Sequence, residues 1–139
     1  MSALAPALVA ASAGIIFLLG LAHLVYTFRG RKLHPRDPDL QERMTGVSPV
    51  ITRQTTMWKA WIGFNASHSL GALLFAAVYG YLAIVHSAFL FQSTFLLLVG
   101  LAFLGGYVFL GKVYWFSVPF RGIVLSTLFY LAALVVAWT

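Results

Sequence analysis

His23, Asn65 and His68 are the side chains of this sequence best suited to do chemistry inside a membrane. Asn65, Ser67, His68 and Ser69 place an amide, two hydroxyls and an imidazole in an otherwise apolar run. Polar groups at membrane depth are costly unless partnered, and they usually face a protein interior or a watery cavity. At helical spacing Trp61, Asn65, His68, Ala72, Phe75 and Tyr79 share one face. Ile62, Ala66, Leu70, Leu73 and Ala77 share the opposite face, expected to meet lipid. Gly63, Ser67 and Gly71 form a small-xxx-small ridge, which would let a helix of a second copy or another protein approach closely.

Three readings compete for His23 and His68. In the first, each imidazole is polar glue, hydrogen-bonded to neighbouring groups and joining helices. In the second, they belong to a ligand-binding pocket. His68, Asn65, Ser69, Trp61 and Tyr79 would line it, with His23, Tyr26, Tyr107 and Arg121 from other helices. Aromatic walls with a few converging polar groups suit a lipid, quinone or isoprenoid. In the third, the two histidines are axial haem ligands. No C-x-x-C-H, H-x-x-H or E-x-x-H motif supports that reading, and no span carries an acid, so no cofactor and no metal are expected. By helix rise His23 lies about 8 Å from the inner end of its span. His68 lies about 16 Å from Met57, or about 10 Å from Trp61, so the pair shares a depth only if Trp61 marks the boundary.

Other chemistries are narrower still. The three carboxylates, Asp37, Asp39 and Glu42, all fall in one connecting loop, so no acid/base pair of carboxylates exists at membrane depth. Ser67, His68 and Ser69 are neighbours on a helix, point in different directions and have no orienting acid, which excludes a nucleophilic triad. Phosphate-binding glycine fingerprints are absent. Pumps normally use intramembrane acids, and none is present. His68 as a lone general acid/base on a lipid-like substrate remains the enzymatic alternative.

The elements that must position these residues follow from composition. Of 139 residues, 61% are hydrophobic and 9% charged, far too apolar for a soluble domain of this size. The sequence predicts an all-α integral membrane protein, a four-helix up-down bundle forming a single domain over 1–139. Spans are expected at about 4–28, 57–85, 91–111 and 119–138, with a polar loop at 29–56. The first segment lacks the basic n-region and short core of a cleaved signal, so it is expected to be retained. Within the loop, Asp37 can cap a short helix that Pro38 begins and that carries Leu40 and Met44 on one face. His34 and His86 are expected to be solvated or exposed. The third span breaks from the second near His86-Ser87 or Gln92-Ser93-Thr94, the polar clusters available there.

The net charge of +6 sits between Arg29 and Lys59 and at Lys112 and Arg121. The positive-inside rule then puts the long loop and the 112–118 connection in the cytoplasm and both termini outside, in the plasma (inner) membrane. Loop cations facing anionic headgroups make membrane lipid the expected partner, and nucleic acid is not expected. A structural subunit packing through Gly63, Ser67 and Gly71 is the third functional class.

The order of His23 late in the first span, a charged loop, and then Gly63-Phe64-Asn65-Ala66-Ser67-His68-Ser69-Leu70-Gly71 resembles small four-helix bacterial membrane proteins of uncharacterised activity. The resemblance covers nearly the whole chain and implies topology alone. Small sterol-isomerase-like four-helix proteins differ in placing acids within the spans.

Because the chain has no cysteine, each introduced one is a unique probe. His34→Cys and Ser117→Cys should be protected from an impermeant thiol reagent in intact cells, while Ser87→Cys should react. Labelling of position 34 from outside would overturn the orientation.

Overall fold

The computed structural model describes residues 3–138. Met1, Ser2 and Thr139, on which the outside placement of the two ends falls, lie outside the described residues. The described chain is all α: α1 (Leu4–Phe28), α2 (Pro38–Gly46), α3 (Met57–Val85), α4 (Ser87–Gln92), α5 (Thr94–Tyr114) and α6 (Ser117–Trp138). No strand occurs among the described residues. Four of these helices, α1, α3, α5 and α6, are long and apolar enough to cross a membrane, the mark of a multi-pass membrane protein.

Local chemistry explains the element ends. Gly30 takes φ +78°, a left-handed conformation that costs a glycine little, just after α1 ends. Asp37 caps α2 by accepting from the Asp39 N–H at 3.0 Å, with Pro38 in the first turn. The chain breaks at both of the alternative places, where one break was expected. His86 precedes the short α4, and Ser93 separates α4 from α5 while accepting from the Leu96 N–H. The extra short helix moves the third span from the expected 91–111 to Thr94–Tyr114.

The chain divides into two compact units, one built from residues up to Leu19 with those from Ala72 onward, the other from Gly20–Gly71. The first holds the apolar core: Val9 and Ile16 from α1, Phe75 and Tyr79 from α3, Leu104 from α5 and Tyr130 from α6. Its polar groups are paired. Ser12 and Ser126 hydroxyls lie 2.8 Å apart, both fully buried, and Ser126 also reaches the Ser12 carbonyl. Tyr79 donates to the Leu96 carbonyl at 2.6 Å and Tyr130 to the Leu97 carbonyl at 3.0 Å. Both phenols converge where Gly100 leaves room, since a Cβ there would run into the Tyr130 hydroxyl and the Tyr79 ring. Phe75, Phe103 and Tyr107 stack in series, with Trp115 edge-on to Tyr107.

The outward face of α3 is turned slightly from the expected one. Leu70 and Ala77 are exposed as expected, and so are Phe64, Leu74 and Tyr81. Leu73, Ile62 and Ala66 are half-buried instead. The buried side centres near Ala72, Ala76 and Ala83, small residues that allow close packing on their flank.

Gly100→Ala should lower thermal stability by ~1–3 kcal/mol, the usual cost of overpacking, because neither phenol can retreat without losing its carbonyl. Gly106→Ala, with open space at its Cβ, should be silent. Equal melting temperatures for the two variants would refute the close approach at Gly100.

Candidate functional site

Two half-buried imidazoles and one amide meet within the Gly20–Gly71 unit. His23, near the end of α1, lies with its Nε2 2.9 Å from Asn65 Oδ1 on α3. The rings of His23 and His68 stand edge to face, with centroids 5.3 Å apart and planes at 82°. Helical spacing explains the arrangement from the α3 side. Asn65 and His68 are three residues apart and so share a face, which here is turned toward His23.

The network assigns the donors. Asn65 Nδ2 donates to the Trp61 carbonyl one turn earlier at 2.8 Å, which leaves Oδ1 as the acceptor. His23 Nε2 must therefore carry the hydrogen, and in a neutral His23 the Nδ1 is the acceptor nitrogen. Thr27 donates to the His23 carbonyl at 2.8 Å and Ser69 to the Asn65 carbonyl at 3.0 Å. These hydroxyls are consumed within their own helices, so Ser69 serves the backbone that carries Asn65.

The chain beyond α1 is tied to the start of α3. Trp61 Nε1 donates to the Leu33 carbonyl at 3.0 Å, so the connection after α1 reaches α3 at Trp61.

The loop is more ordered than its polar composition suggests. His34, expected to be solvated, is half-buried: its Nδ1 lies 3.2 Å from Gln41 Oε1 and its ring stands edge-on to Trp58 at 4.8 Å. A pairing across α1–α2 and α3 has no periodicity to reveal it, and the sequence carried no signal for it. His86 is exposed as expected, beside the Tyr81 hydroxyl at 3.2 Å.

The remaining expected site residues are placed as follows. Tyr26 is exposed, with Lys32 Nζ 3.9 Å from its ring centroid, a cation–π contact at the end of α1. Trp61 is exposed, its indole N–H held by Leu33. Tyr79, Tyr107 and the exposed Arg121 belong to the other unit, where Tyr79 and Tyr107 are engaged in the aromatic core.

Haem needs two imidazole nitrogens aimed at one iron from opposite sides of the macrocycle. The edge-to-face rings at 5.3 Å and the engagement of His23 Nε2 by Asn65 do not offer that geometry. Among the described residues no three His, Asp or Glu side chains converge on a point. Comparison with known families, curated proteins and solved structures finds no match to this chain.

The tautomer assignment is directly measurable. With His23 in its neutral form, 15N spectra of ring-labelled protein should show the proton at Nε2 and Nδ1 bare. Asn65→Leu should redistribute that proton. A His23 already protonated at Nδ1 in the unaltered chain would refute the network.

Proposed function

We propose that this chain binds a hydrophobic ligand with a polar head, of the lipid, quinone or isoprenoid class, at the His23–Asn65–His68 cluster. The observation that supports the reading is a contrast in burial. At Ser12 with Ser126, which join α1 to α6, the groups are fully buried and pair with each other. His23, Asn65 and His68 are only half-buried, although they lie in apolar helices. Groups that serve packing alone gain nothing from such access, whereas a ligand's hydroxyl or carbonyl needs it.

The cluster offers both hydrogen-bonding senses. Oriented by Trp61, Asn65 fixes the tautomer of His23, whose Nδ1 then accepts, and the imidazole of His68 stands beside it. Trp61 and Tyr26 supply amphipathic aromatic surface at the same end of the two helices. Tyr79, Tyr107 and Arg121 are not required. The setting we propose is a single four-helix up-down bundle in the plasma (inner) membrane with both termini outside, supported by the one-sided cations.

Protein extracted gently from its host membrane should carry such a ligand, identified by mass spectrometry. His68→Gln and Asn65→Ser should keep the melting temperature and yet lower retained ligand about tenfold, a change of ~1.4 kcal/mol. Retention at the unaltered level in both variants would make the cluster structural and end the binding reading.

A further inference from the structure

The connection between α2 and α3 builds a second feature, distinct from the histidine cluster although Trp61 borders both. Thr52 N–H donates to the Pro49 carbonyl at 3.2 Å, closing a tight turn with Val50 and Ile51 at its tip. Both side chains are almost fully exposed, at 109% and 91%. The Met57 N–H donates to the Val47 carbonyl at 2.8 Å, so this strap is pinned at both ends rather than loose. Beneath it runs an open groove of about 540 Å³ whose walls include Met44, Ile51, Met57, Gly63, Phe64 and Ser67. Its lining is almost entirely apolar. Gly63 has open space where a side chain would project, so the absence of a Cβ adds to the depth of the groove.

We propose that this groove holds an acyl chain of an anionic phospholipid from the leaflet on the loop side, with the headgroup against Arg53. Two features select that occupant. The groove falls in the size range of small-molecule sites, about 300–1,000 Å³. The charges fit an anionic head. Arg43 and Arg53 directly adjoin the lining residues Met44 and Thr52, and both are exposed. From Arg43 to Ser67 the chain contains no acid, since Asp37, Asp39 and Glu42 all precede it. Exposed Val50 and Ile51 then enter the interface beside the bound lipid instead of facing water, burying apolar surface while the cations stay at the headgroups.

The full chain is reconstituted in vesicles of equal parts phosphatidylglycerol and phosphatidylcholine with identical acyl chains. It is then extracted in mild detergent, and retained lipids are counted by native mass spectrometry. The unaltered protein should retain phosphatidylglycerol in preference to phosphatidylcholine. Gly63→Phe and Ser67→Phe fill the groove and should each reduce retained phosphatidylglycerol about tenfold. Leu74→Phe, on the exposed face of the same helix, should leave retention unchanged. Arg53→Gln, an exposed substitution that leaves the groove open, should abolish the preference between headgroups; it decides the matter if either phenylalanine variant loses its helical circular dichroism. Unchanged retention in the folded groove variants overturns the proposal. So does conversion of a dimer to a monomer without lipid loss, which would assign the groove to a second copy. Equal retention of the two lipids by the unaltered protein overturns the anionic preference.

Discussion

Hydrocarbon offers no hydrogen bonds, and that constraint organises the polar side chains of this protein. Within the apolar helices hydroxyls and amides turn back to carbonyls: Thr27 to His23, Asn65 to Trp61, Ser67 to Phe64, Ser69 to Asn65 and Thr127 to Ile123. Tyr79 and Tyr130 reach carbonyls of α5 instead. Among the described residues no buried side-chain nitrogen or oxygen lacks a partner. A group left unpartnered away from water would cost several kcal/mol, about the whole net stability of a small domain.

The same constraint separates two uses of polarity. Ser12 with Ser126, and the tyrosines about Gly100, are closed arrangements in which burial and pairing go together. Gly100 matters because two phenol rings must reach successive carbonyls, Leu96 and Leu97, across one narrow contact. The histidine cluster is open by comparison. Its orientation is over-determined by Asn65, held at one end by a carbonyl and at the other by His23, while its imidazoles keep partial exposure. That partial exposure is what the proposed recognition of an amphipathic molecule would use.

The long loop contributes more than orientation. Trp61 holds the chain after α1 through Leu33, His34 ties the loop to Gln41 and Trp58, and Val47 holds the start of α3. These links give a polar segment a defined shape over the end of α3. The exposed Val50 and Ile51 at its tip are apolar surface that water would disfavour and an interface would accept.

Much of this was legible in the sequence, because hydropathy and helix period are local. The four apolar helices, the Asp37-Pro38 start of α2, the breaks at His86 and Ser93, and the shared face of Asn65 and His68 all follow from residues near one another along the chain. The meeting of His23 with Asn65 and His68 was open, since helix rise allowed two depths for His68 and a contact between α1 and α3 is a matter of packing. The partners of His34, the half-burial of Leu73 and the groove beneath the 47–57 strap belonged to tertiary structure alone. A hydrogen bond or a cavity joining residues far apart in the chain leaves no period in the sequence. Its existence depends on how the chain reverses between helices, and that geometry is decided only when the helices pack.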